Sequence, residues 1–119
     1  MTHEILIIDD DKLTRWSLAK VLARAGYRVR EAASAAEGLV KAGESRPDLV
    51  LLDLRLPGED GGTVLQDLQQ SRPGLPVVMM SADPTAETVG HMRRLGARGF
   101  LAKPCAAELL LALVAYFLW

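Results

Sequence analysis

The chain has 119 residues, 50% of them hydrophobic and 24% charged, with 15 acidic against 14 basic side chains. That length suffices for one domain around one core, and the even charge balance excludes the broad basic surface that nucleic-acid binding by the domain itself would need. A lone cysteine, Cys105, excludes an internal disulfide. No Cys/His cluster suggests zinc, no apolar run is long enough to cross a bilayer, and no basic-then-apolar leader opens the sequence, so a reducing, cytoplasmic setting without membrane contact is expected.

Ile5-Leu6-Ile7-Ile8 is an unbroken aliphatic run ending in Asp9-Asp10-Asp11. A short run with no polar face suits a strand buried on both sides of a parallel sheet. Lys12 to Ala25 then carries Leu18, Val21, Leu22 and Ala25 at helical spacing, with Asp11 as N-cap and Gly26 as the stop. Tyr27 to Arg30 reads as a shorter, more polar strand near a sheet edge. Ser34 and Glu37 form a capping-box pattern that opens a helix reaching about Glu44.

Leu49-Val50-Leu51-Leu52 is a second buried run, ending in Asp53 and followed by a Pro57-Gly58 turn signal. Thr63 to Ser71 is predicted helical with Val64, Leu65 and Leu68 inward, and Arg72-Pro73-Gly74 breaks it. Val77-Val78-Met79-Met80 is the third apolar run, ending at Ser81. Asp83-Pro84 reads as N-cap and first residue of a helix with Val89, Met92 and Leu95 inward, stopped at Gly96. Gly99 to Ala102 is the last strand, Lys103-Pro104 follows, and a final helix is expected from Cys105 toward Trp119.

Strands separated by single helices pair in parallel through right-handed crossovers, which gives an α/β, doubly wound (βα)5 domain. The flavodoxin-like strand order 2-1-3-4-5 puts strands 1, 3 and 4 at the centre, where the three most apolar runs belong. In such sheets ligands bind at the carboxyl ends of the strands.

Four strands deliver chemistry to that edge: Asp9 and Asp10, Asp53, Ser81, and Lys103. Three neighbouring carboxylates repel, and a divalent cation relieves the repulsion; an all-oxygen set favours magnesium. Lys103 suits a phosphate oxygen and Ser81 offers a hydroxyl. Asp53 is then a metal ligand alone or also a nucleophile, since carboxylates form acyl-phosphates.

In combination these residues resemble the receiver domain of bacterial two-component response regulators, over essentially all of residues 1–119. The acidic pair after the first strand, Asp53 with Pro57 four residues on and Gly61 eight on, Ser81 ending the fourth strand and Lys103-Pro104 after the fifth carry the likeness. The resemblance implies that Asp53 accepts a phosphoryl group from a sensor histidine kinase, in a magnesium-dependent reaction that the domain assists without being an enzyme. It implies Asp10 as a direct magnesium ligand, Asp9 as its partner through water, Asp53 as a ligand, and the Arg55 backbone carbonyl as the third protein ligand. Ser81 and Lys103 would hold the phosphoryl oxygens, with backbone at Leu54 and Ala82 around them. Phe100 takes the aromatic switch position with Ser81, and the peptide bond before Pro104 is expected to be cis. The Asp9-Asp10-Asp11-Lys12 opening with Arg15-Trp16 resembles receivers of the nitrogen-regulator type, which precede an ATPase and a DNA-binding domain in sigma54-dependent activators. The chain is accordingly expected to be the N-terminal part of a longer protein, controlling transcription.

Other readings compete. Asp11 is a helix cap rather than a ligand; Met79 and Met80 are core; His3 and His91 are surface residues; Trp16 is packing; Cys105 is a plain small residue. The last helix is apolar nearly all round, so its outer face is expected to meet a partner; the resemblance to receivers implies a second copy, through the fourth helix, fifth strand and fifth helix. A phosphorylation-independent interaction module with the same fold would usually lose one of the acids or the lysine. A phosphohydrolase of the dehalogenase type would want an acid two residues after its nucleophile, where Arg55 stands.

Overall fold

A computed structural model of the protein describes residues 2–119. The strands are β1 (Glu4–Ile8), β2 (Arg28–Ala32), β3 (Leu49–Asp53), β4 (Val77–Ser81) and β5 (Gly99–Ala102). They form one parallel sheet in the order β2-β1-β3-β4-β5. Every residue of β1, β3 and β4 is buried, as their unbroken aliphatic runs require, while the more polar β2 lies at an edge.

Alternate side chains of each strand enter two separate cores. Leu6, Ile8, Val50, Leu52, Val77 and Met79 pack under α2 (Ala35–Ser45), α3 (Gly61–Ser71) and α4 (Ala86–Arg94). Ile5, Ile7, Leu49, Leu51, Val78 and Met80 meet Leu18 and Leu22 of α1 (Lys12–Arg24) and Leu110 and Val114 of α5 (Ala107–Leu118). The two layers hold the sheet rigid, so its carboxyl edge is a fixed frame.

Local signals explain most helix boundaries. The Glu37 N–H donates to Ser34 Oγ at 3.1 Å, and Glu37 Oε1 accepts from the Ala33 N–H at 2.8 Å, so the return arm of the box lands one residue before the cap. Helix α3 starts at Gly61, two residues before the expected Thr63. The Asp60 carboxylate caps it by accepting from the Gly62 N–H at 3.1 Å, which outweighs the poor helix propensity of two glycines. Helix α4 starts later than expected. Its N-cap is Thr85, whose hydroxyl accepts from the Thr88 N–H at 3.1 Å, and Asp83-Pro84 stay in the preceding loop. Asp11 stands at the N-cap of α1, but its carboxylate accepts from the Thr14 hydroxyl rather than from a helix N–H, and that bond holds its pKa below the usual carboxylate value.

Two short strands form a ribbon beside α3: Arg55–Leu56 and Glu59–Asp60 pair antiparallel around Pro57-Gly58, with Gly58 at φ 73°. That positive φ is what the third residue of a type II turn needs. Helix α5 buries Leu110 and Val114 and exposes Leu109 and Tyr116, and Trp119 just past its end is exposed as well. The Trp119 indole N–H donates to the Tyr27 hydroxyl at 2.9 Å, and its ring meets His3 edge-on. Trp16 is not packing: it is 56% exposed, with Lys20 Nζ 4.4 Å above its ring. Among the described residues no helix is long and apolar enough to cross a membrane.

Candidate functional site

Asp9 and Asp10 leave β1 at its carboxyl end, and Asp53 ends the neighbouring β3. One carboxylate oxygen from each of the three lies within 4.8 Å of the others. Asp9 is fully buried, Asp53 nearly so, and Asp10 is exposed. Lys103 reaches in from the end of β5, its Nζ 2.6 Å from Asp9 Oδ2 and 3.3 Å from Asp53 Oδ1. The bond to Pro104 is cis, and the Lys103 N–H donates to the Ser81 carbonyl at 2.8 Å, tying the β4 and β5 ends together.

Burial, and then the charge of Asp9, push the Asp53 carboxyl above its ordinary pKa; Lys103 opposes both without cancelling them. Burial pulls the Lys103 ammonium down, but its bonds with Asp9 and its attraction to Asp53 outweigh that and hold it above an ordinary lysine. Burial raises the Cys105 thiol, so this cysteine is a small half-buried side chain and not an activated one.

Asp53, Arg55, Ser81, Ala82, Asp83 and Lys103 line one pocket of about 180 Å³. The Ser81 hydroxyl accepts from the Asp83 N–H at 3.1 Å. The backbone donor facing Asp53 is Arg55, whose N–H approaches Oδ1 at 3.4 Å. The Leu54 N–H, in the backbone expected around the phosphoryl oxygens, donates here to the Met80 carbonyl at 2.9 Å, because the chain stays in sheet pairing one residue past Asp53. Phe100 lies outside this pocket, half-buried in a groove it shares with Thr85, Val89 and Arg93 of the α4 region and with Leu109 of α5.

The donor set fits a small hard cation. Three carboxylates converge, two of them buried, and their repulsion is only partly met by one ammonium. Asp9, Asp10 and Asp53 are the side chains that would hold magnesium, which when bound neutralises clustered negative charge.

Sequence reasoning missed two contributors. Asp60 caps α3 and so fixes the helix behind the Asp53 loop. Arg15, one turn into α1, donates from Nη1 to the Asp9 carbonyl at 2.6 Å and pairs through Nε with Glu31 at 3.3 Å.

The chain matches the family model described as response regulator receiver domain over residues 5–115. It is 34% identical over 110 residues to the DNA-binding transcriptional regulator NtrC of Escherichia coli (strain K12), covering 92% of this chain and 24% of that protein. It is 38% identical over 113 residues to the response regulator MprA of Mycobacterium sp. (strain KMS), covering 94% and 49%. The chain therefore spans a quarter to a half of the length of these relatives. Among solved structures, the chemotaxis protein CheY4 of Vibrio cholerae superposes with a TM-score of 0.93 at 27% identity, over 98% of this chain and 99% of that one. NtrX from Brucella abortus gives 0.93 at 34% identity, over 99% of this chain and 27% of that one. A doubly wound sheet with three acids and a lysine at its carboxyl edge, and a family model matched from Ile5 to Ala115, make this chain a member of the receiver domains of two-component response regulators, with nitrogen-regulator proteins among its relatives.

Proposed function

We propose that this receiver is a phosphoacceptor switch in which Asp53 takes a phosphoryl group from the phosphohistidine of a sensor histidine kinase. An Asp53 oxygen forms the new bond to phosphorus as the phosphorus–nitrogen bond breaks, and the imidazole leaves with the bonding pair. The observation that carries this reading is the convergence of Asp9, Asp10 and Asp53 within 4.8 Å, with Lys103 reaching both buried acids. Asp9, Asp10, Asp53 and the Arg55 carbonyl hold magnesium. Lys103 and Ser81 bind the phosphoryl oxygens, assisted by the Ala82 and Arg55 amides, in a reaction that rests on positioning and charge neutralisation.

Phosphorylation then draws Ser81 toward the new group and Phe100 inward, altering the α4-β5-α5 face. That face, with the exposed Leu109 and Tyr116 of α5, serves a homodimer or an output domain. A transcriptional output is supported by the likeness to NtrC, whose name describes a DNA-binding regulator. An ATPase and a DNA-binding domain are the expected downstream units, in a cytoplasmic protein.

The test is incubation with acetyl phosphate and magnesium followed by mass spectrometry. One phosphoryl group is expected on Asp53 and none on Asp53→Asn. No mass gain, or a gain that survives the substitution, sinks the reading and leaves an interaction module with a receiver fold.

A further inference from the structure

We propose that Arg15 is a positioning residue that sets the Asp10 carboxylate for the cation, with Glu31 orienting Arg15 in turn; this rests on the phosphoacceptor reading above. Asp10 is the one exposed member of the acidic trio, and no side-chain hydrogen bond or ion pair holds it among the described residues. With no side-chain partner, its carboxylate takes its direction from its backbone and its own rotamer. That backbone begins in the peptide plane joining Asp9 to Asp10, and a peptide plane moves as one rigid unit.

Both ends of Asp9 are fixed. Its N–H donates to the Ala32 carbonyl at 3.1 Å, extending the β1–β2 ladder by one residue. Its carbonyl, already past the strand, accepts from Arg15 Nη1 at 2.6 Å. Holding that oxygen fixes the plane from which the Asp10 side chain departs. The Asp9 side chain is held separately, accepting from the Asp11 N–H at 2.9 Å and pairing with Lys103. Arg15 is well placed for this duty: its side chain is only 14% exposed, and its planar fork reaches Glu31 of β2 through Nε at 3.3 Å while Nη1 serves Asp9. The Glu31 charge also offsets the guanidinium, so the clamp adds little positive charge beside a cation site.

Partners that orient a ligand without touching the metal typically change metal affinity by about 10- to 100-fold when removed. Calorimetric titration of the full chain with magnesium should therefore give an Arg15→Gln variant with a Kd about tenfold weaker than wild type. Arg15→Lys, which keeps the charge but lacks a second donor arm, should fall between, and Arg24→Gln, at an exposed arginine of the same helix, should match wild type. In the absence of metal, the Asp10 and Asp11 amide resonances should shift in Arg15→Gln. A simple loss of stability would lower Tm without moving the Kd of the folded protein. Wild-type affinity in Arg15→Gln overturns the positioning role and leaves the phosphoacceptor reading standing; if that variant does not fold, wild-type affinity in Arg15→Lys does the same. A wild-type chain that binds no magnesium at millimolar concentration overturns both readings.

Discussion

Gly61 lies so close to Leu54 that a Cβ built on it would stand 2.5 Å from the Leu54 carbonyl oxygen. The obstacle is backbone, in the residue directly after Asp53, so it cannot rotate aside. Gly61→Ala is expected to cost about 1–3 kcal/mol by overpacking and to slow acceptance of the phosphoryl group as the Asp53 loop shifts. Gly43 of α2 has open space where its Cβ would go, and Gly43→Ala should stabilise by about 0.5–1 kcal/mol. Urea unfolding checks both; a neutral Gly61→Ala would contradict the close approach.

Asp53 is expected to weaken the metal-free fold at neutral pH. Its folded pKa is raised above the unfolded value of 3.8, so its ionised form costs stability above the folded pKa, and the cost fades as pH falls through that pKa toward 3.8. Asp53→Asn should therefore raise stability in chelator at pH 7 by on the order of 1 kcal/mol, the scale of a charge interaction in a partly solvated cluster. The gain should shrink on acidification, and magnesium should close the gap by stabilising wild type. Thermal unfolding across pH, with and without magnesium, measures all three.

Lys103 carries the opposite sign. Its pKa is raised in the fold, so its stabilising pairs are complete below the unfolded lysine value of 10.5 and are lost as pH rises through the higher folded value. At neutral pH, Lys103→Met leaves the fully buried Asp9 carboxylate without its cation and should cost about 3 kcal/mol. Magnesium should restore part of that loss. A substitution that left Tm unchanged in chelator would show that the lysine does not neutralise Asp9.

The start of α4 offers a cleaner local test. Thr85→Ala removes the hydroxyl that accepts from the Thr88 N–H and should cost about 1 kcal/mol, whereas Asp83→Ala should not uncap the helix. Equal losses in denaturant titration would return the cap to Asp83.

The aliphatic runs Ile5–Ile8, Leu49–Leu52 and Val77–Met80 announced the central strands because residues buried on both faces leave no polar period to misread. The acids and lysine at their ends were legible for the same reason: strand ends in a parallel sheet have fixed positions. The start of α4 was not legible, since Asp83 and Thr85 are both good caps two residues apart and tertiary context chose between them. The start of α3 was hidden behind two glycines, poor helix formers, at positions where a Cβ would crowd the Leu54 backbone or the Leu95 and Met92 side chains. That Arg55 and not Leu54 presents its amide to Asp53 depends on how far sheet pairing runs, and composition carries no record of that. The contact of Arg15 with Asp9 was not legible, because a basic residue near the start of a helix is normally a solvated one.

The contact between Lys103 and Asp9 joins positions 94 residues apart. Asp9 comes from the first strand, Asp53 from the third and Lys103 follows the fifth, so any fragment that holds the full charge set must run from Asp9 through Lys103. Pairing of β1 with β3 alone brings two acids together without their counter-charge, so closure of β5 is rewarded electrostatically as well as by burial. On the phosphoacceptor reading proposed above, competence to take up a phosphoryl group would require the completed topology, because the site draws on the ends of the first, third and fifth strands together.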